Sequence, residues 1–133
     1  MNDSDYLKKK AGEWFRKGGS DLRSAEILIK DFQPPTDTIC FHCQQAAEKY
    51  LKGYLTLNNI EFIKSHDLDY LLKLCIDNDR NFESFREIIL ILNKYGIEPR
   101  YPADIPIYYS VEEAKKAIDL TEEFIGFMGE KNQ

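Results

Sequence analysis

No window of this chain approaches the roughly 18 uninterrupted apolar residues that a membrane-spanning helix requires. The opening Met1-Asn2-Asp3-Ser4-Asp5 also lacks the basic-then-apolar pattern of a secretory signal. A cytoplasmic location with no membrane role is therefore expected. Cysteine is scarce: three thiols, an odd number in a chain without a signal, fit reduced side chains better than a disulfide framework. No stretch sustains the two-residue alternation of a half-buried strand, and there are no internal repeats or low-complexity segments. Gly18-Gly19 is followed by Ser20-Asp21, without the Gly-Lys-Ser/Thr element of a phosphate loop. Only two histidines occur, His42 and His66, and neither has a glutamate three residues before it, which removes a di-iron carboxylate bundle.

What is present is one domain's worth of an ordinary globular sequence. The 133 residues are 43% hydrophobic, enough for one core, so residues 1–133 are expected to form a single domain with its core at about 11–128. The net charge of −5 repels phosphate backbones, so any nucleic-acid affinity must come from a local basic patch. From residue 67 onward there are 8 Lys and Arg against 14 Asp and Glu, whereas residues 1–66 carry 10 against 9. The basic residues before Asp67 include Lys8, Lys9, Lys10, Arg16 and Lys17, a small cationic end that reads first as a solvated helix start.

Apolar residues recur at helical spacing almost throughout, so the chain is expected to be all-α. The first helix is expected from about Tyr6 or Ala11 to Phe32, with Trp14, Gly18, Leu22, Ala25 and Phe32 on one face and Pro34-Pro35 ending it. The Gly18-Gly19 pair predicts either a kink or the close approach of a neighbouring helix. The second helix, from about Asp37 to Asn58, is apolar over half its circumference and should therefore sit centrally. Phe41 falls outside that arc, beside Gln45, Glu48 and Lys52, where an exposed ring suggests a partner surface. A short third helix is expected after Ser65 as N-cap, burying Leu68, Leu71, Leu72 and Cys75. The fourth should run from Phe82 to Tyr95 with Gly96 at its end. Ser110-Val111-Glu112-Glu113 has the spacing of a capping box and announces the fifth. Between the last two lies Ile97 to Tyr109, with three prolines, a connection long enough to suggest function.

Few residues offer chemistry. Cys40-Phe41-His42-Cys43 places two thiols on one helix face, but with no second such pair they read as small buried hydrophobes, and neither a metal nor a cofactor is expected. His42 lies at the edge of the apolar arc near Gln45 and Lys49, and reads as a hydrogen-bonded, half-buried imidazole. His66 precedes a helix. Arg100, between Pro99 and Tyr101-Pro102, is held in a stiffened setting that suits either an internal carboxylate or a phosphate.

The order of Trp14-Phe15-Arg16-Lys17, Ser20-Asp21-Leu22, Phe41-His42-Cys43-Gln44-Gln45-Ala46-Ala47-Glu48-Lys49-Tyr50-Leu51-Lys52-Gly53, Ser65-His66-Asp67-Leu68 and Arg100-Tyr101-Pro102 resembles the HEPN domain, the higher-eukaryote and prokaryote nucleotide-binding family. The resemblance implies an antiparallel up-and-down four-helix bundle with an additional short helix, often a homodimer. It also implies partnership with a minimal nucleotidyltransferase in a toxin–antitoxin-like system. Many members resembling it are metal-independent ribonucleases marked by an arginine followed four to six residues later by a histidine. Here no arginine stands at that spacing before His42 or His66, and Arg100 is followed by Asp104, Ile105, Pro106 and Ile107, with Tyr108 beyond.

The expected function is thus a non-catalytic, dimeric binding module for a nucleotide, an RNA end or a nucleotidyltransferase, using Arg100, Tyr101, His66 and Lys49, with Phe41 on a partner surface. Two alternatives stay open. One is a ribonuclease that pairs Arg100 with His66 or His42 in space; the other is a purely structural interaction protein.

Overall fold

The computed structural model of the chain describes residues 3–97 and 108–131. Among these there are five α-helices and no strand: α1 (Asp3–Leu28), α2 (Thr36–Leu57), α3 (Leu68–Asn78), α4 (Arg86–Ile97) and α5 (Val111–Lys131), with a tight 3-10 turn at Arg80–Phe85 before α4. The all-α expectation holds. No helix is long and apolar enough to cross a membrane among the described residues.

α2 packs against each of the other four helices, the position that its wide apolar arc requires. Ile39, Cys40, Cys43, Ala46, Ala47, Leu51 and Leu55 are all fully buried on it. Cross-helix pairs give the directions. Asp21 of α1 meets His42 and Lys49 of α2, Gly18 lies against Tyr50, and Phe15 against Gly53, so α1 and α2 are antiparallel. At the start of the α4 segment, Phe82 packs on Tyr54 with centroids 4.6 Å apart; at its end, Gly96 lies against Gln44. α4 therefore also opposes α2. α5 opposes α4 in turn: Tyr95 Oη donates to Glu113 Oε2 at 2.7 Å, while Phe85 meets Phe124 at 5.5 Å and Phe82 meets Phe127 at 5.1 Å. Helices α1, α2, α4 and α5 form the up-and-down bundle. α3 is the additional short helix, lying along the C-terminal half of α2 in the same sense, with Asn78 Nδ2 donating to Tyr54 Oη at 2.7 Å.

Several boundaries differ from expectation for local reasons. α1 stops at Leu28, not Phe32, because the chain tightens into Lys30 N–H to Ile27 and Asp31 N–H to Leu28 turn bonds; Phe32 is left 95% exposed and off the face assigned to it. The N-cap of α3 is Asp67, not Ser65: Asp67 Oδ1 accepts from Asp69 N–H at 3.0 Å, while Ser65 Oγ accepts from Asp67 N–H at 3.0 Å one turn earlier. Asp79 then caps the 3-10 turn, accepting from Asn81 N–H at 3.0 Å, so Phe82 belongs to that turn and α4 begins at Arg86. Gly96 lies inside α4. The α5 cap is as expected, with Ser110 Oγ accepting from Glu113 N–H at 3.0 Å. All but three residues of the connection between α4 and α5 that are outside the helices fall outside the described residues.

The glycines of the α1–α2 seam explain its closeness. A Cβ on Gly18 would stand 2.7 Å from the Tyr50 ring, and one on Gly53 would stand 2.5 Å from the Phe15 ring. Of the two readings for Gly18-Gly19, close approach is the one realised at Gly18. Gly12, in contrast, faces open space. Gly53→Ala is expected to destabilise the protein by about 1–3 kcal/mol through overpacking, and Gly12→Ala to stabilise it by up to about 1 kcal/mol through helix propensity. Urea unfolding of the two variants checks both signs.

The α1–α5 seam carries a carboxyl pair. The hydrogen bond that the Glu122 carboxyl donates to Glu26, with burial and the Glu26 and Asp119 charges adding to it, pushes Glu122 up to about 7. The groove there is also lined by Lys30 and Lys115. Because the folded value lies above the ordinary carboxyl value, this contribution is complete below about pH 4.5 and is lost as pH rises through about 7. The melting temperature of Glu122→Gln should accordingly vary less than that of the parent between those two pH values, as differential scanning calorimetry would show.

Candidate functional site

The polar residues of α2 are stacked one turn apart. Gln44, Glu48 and Lys52 follow at i, i+4 and i+8, and all three are buried. Such a stripe on a central helix must satisfy its groups internally, because an unpaired buried charge is far more costly than an unpaired exposed one. Lys52 Nζ lies 3.0 Å from Glu48 Oε2 and 5.5 Å from the centroid of the Trp14 ring of α1, whose π face favours the cation. Gln44 Nε2 donates to Glu48 Oε1 at 3.2 Å and to the His66 carbonyl at 3.1 Å, while Gln44 Oε1 accepts from Gln45 Nε2 at 2.7 Å. His66 completes the set: its Nδ1 is 3.1 Å from both Glu48 oxygens.

This assembly fixes the chemistry of His66. A carboxylate held beside a lysine is an acceptor, so Nδ1 carries the hydrogen and Nε2 is the nitrogen left to accept or donate a proton. The Glu48 side chain is 4% exposed and that of His66 is 53% exposed: the buried carboxylate orients an imidazole that itself reaches solvent. The flanking backbone is pinned from α4, where Asn93 Oδ1 accepts from Leu68 N–H at 2.8 Å and Asn93 Nδ2 donates to Asp67 Oδ1 at 2.9 Å.

A second cluster lies across the α1–α2 seam. His42 Nδ1 is 2.9 Å from Asp21 Oδ1, and Lys49 Nζ pairs with Asp21 Oδ2. His42 is half-buried and hydrogen-bonded, as its place on the helix predicts. The two imidazoles thus answer to different carboxylates, one on α1 and one on α2. Lys49 is engaged with Asp21 and is mostly covered.

Phe41 is half-buried, not the exposed ring expected, because the arc beside it is covered: Glu48 and Lys52 face neighbouring side chains instead of water. Arg100 and Tyr101 lie outside the described residues. The three thiols are buried; burial pushes Cys40 and Cys43 up to about 12 and raises Cys75 as well, so they behave as apolar side chains. Among the described residues no cluster of three or more His, Cys, Asp or Glu is arranged to hold a metal ion.

The residues that sequence reasoning missed are Glu48, Lys52, Gln44 and Asp21. The signal was available in the i, i+4, i+8 spacing of Gln44, Glu48 and Lys52 on a helix whose remaining surface is largely apolar.

Residues 11–132 match the family described as HEPN domain, and the chain belongs to that family. It is similar to a Methanocaldococcus jannaschii protein named "Putative toxin MJ1304", with 30% identity over 109 residues that cover 77% of this chain and 70% of the relative. No solved structure matches the chain.

Removing the Glu48 carboxylate should expose the cost of the network. Glu48→Ala leaves Lys52 buried without its counter-charge and is expected to lose about 3–5 kcal/mol of stability. His66→Ala, which removes a half-exposed side chain, should lose no more than about 1 kcal/mol. Chemical denaturation of the pair measures the difference.

Proposed function

We propose that this HEPN domain is a single-domain, dimeric, non-catalytic binding module that takes the phosphate-bearing end of a nucleotide or RNA and works in a toxin–antitoxin pair with a small nucleotidyltransferase. The observation that carries the reading is the Glu48-oriented imidazole of His66, held in place while its Nε2 is left for a ligand. A hydrogen-bonding group at a fixed position is suited to recognising a phosphate.

Connectivity supports the role given to Arg100 and Tyr101. Gly96 rests on the Gln44 amide, which is bonded to the His66 carbonyl. Arg100 follows Gly96 by four residues, at most about 14 Å of extended chain. Lys49, paired with Asp21, would reach a ligand only by exchanging that carboxylate for a phosphate, and Phe41 is assigned to the surface that meets a partner. The relative named as a toxin is consistent with the toxin–antitoxin setting, and the absence of an arginine four to six residues before either histidine favours binding over cleavage.

A second reading is metal-independent RNA cleavage with His66 as the proton-transferring group and Arg100 stabilising developing negative charge. The carboxylate behind the imidazole favours it, since such backing is how proton-transfer histidines are oriented. Titrating the protein with a 5′-labelled RNA oligonucleotide and with ATP, by fluorescence anisotropy and calorimetry, separates the readings. Binding without cleavage, weakened about tenfold in Arg100→Ala and in His66→Ala, is the expected result. Cleavage abolished by either substitution would replace the first reading with the second. Neither binding nor cleavage would leave a structural role.

A further inference from the structure

The outer face of α4 is apolar where a solvated helix should be polar. Ile89 and Leu92 point into the core, fully buried, while Leu90 is 65% and Ile91 39% exposed on the opposite side. At 100° per residue Glu87, Leu90, Ile91 and Lys94 share one arc of about 100°. Adjacent bulky apolar residues side by side on an outer face mark an association surface more often than isolated ones do.

The order of charges along this stripe indicates what covers it. Leu90 and Ile91 are central, Glu87 lies three residues before them and Lys94 three residues after. If two such helices pack antiparallel about a two-fold axis, each position meets its mirror position in the partner. Leu90 then faces Ile91 of the partner subunit, and Glu87 faces Lys94 of the partner subunit, with both contacts repeated by symmetry. A surface that is its own complement in shape and charge is what an isologous dimer needs. Beside the stripe, between α4 and α5, lies a concavity of about 220 Å³ walled by Ile91, Tyr95, Ala117 and Leu120 and rimmed by Lys94 and Lys116. It is open to receive an apolar side chain such as Leu90 of the partner subunit.

We infer that the α4 face, centred on Leu90 and Ile91 and flanked by Glu87 and Lys94, is the interface through which a second copy of this chain docks antiparallel across a two-fold axis. This inference rests on the dimeric reading under Proposed function and specifies its surface. Lys94 also pairs with Glu113 at 3.4 Å in its own chain. The charge is therefore shared across the seam, and the apolar centre supplies most of the attraction. A single helix face is a small interface, placing the dimer at the weak end of the specific range.

Sedimentation equilibrium over a concentration series tests this, with circular dichroism confirming that each variant keeps its helices. The parent should be dimeric at high concentration, and Leu90→Asp, at an exposed position, should be monomeric throughout. Glu87→Lys alone and Lys94→Glu alone should each weaken the dimer about tenfold, because each reversal creates two like-charge contacts. An equimolar mixture of those two variants should recover the parent's affinity as a heterodimer, since every reversed charge then meets its opposite. A parent that stays dimeric and is unaffected by Leu90→Asp overturns the α4 interface while leaving the dimer standing. Loss of dimer in Leu90→Asp without recovery in the mixture overturns the antiparallel arrangement. A parent that is monomeric at every concentration overturns the dimeric reading and this inference together.

Discussion

A glutamate side chain enclosed by protein cannot be left alone, and much of this fold is arranged around the one at position 48. Its two oxygens take Lys52 from the next turn of the same helix, Gln44 from the turn before and His66 from the connection to α3. Each partner draws in another element. Lys52 calls for the Trp14 ring and thus for α1; Gln44 lies under Gly96 at the end of α4; His66 anchors the chain entering α3. Isolated buried ion pairs contribute little net stability against the cost of desolvation. A fully bonded network differs from an isolated pair in that it selects one arrangement of helices over others of similar apolar burial.

Around that centre the remaining energy is apolar and aromatic. Tyr54, Phe82, Phe85, Phe124 and Phe127 meet edge-on or tilted at 4.4–5.5 Å where α2, the 3-10 turn before α4 and α5 come together. Pairs of this kind add about 0.5–1.5 kcal/mol each beyond burial. This level of the bundle is aromatic, whereas the level of Glu48 and His66 is polar and opens to solvent at one imidazole. The division lets the protein hold a hydrogen-bonding group in a fixed place without disturbing its core.

The helices could be read from the sequence because their apolar spacing is regular, and the central place of α2 followed from the width of its apolar arc. Capping was less legible. Ser65 and Asp67 are both good N-caps, and the choice of Asp67 depends on Asn93, a residue 26 positions away. Leu28, not Phe32, ends α1 because turn bonds win over a continued apolar pattern. The site was the least legible part. Glu48 and Lys52 have the composition of a solvated edge, and only the arrival of Trp14 and His66 from distant segments makes them interior. His42 was legible as half-buried, but its partner Asp21 was not, since nothing local links a helix-1 aspartate to a helix-2 imidazole.

The seam between the first two helices has an evolutionary consequence. Phe15 occupies the space that a side chain at position 53 would need, and Tyr50 does the same for position 18. Neither member of such a couple can drift alone: a larger residue opposite the ring must be accompanied by a smaller ring, or the helices must separate and pull Asp21 from His42 and Lys49. Substitutions at these four positions should therefore be strongly non-additive, each ring and its glycine exchanging together or not at all.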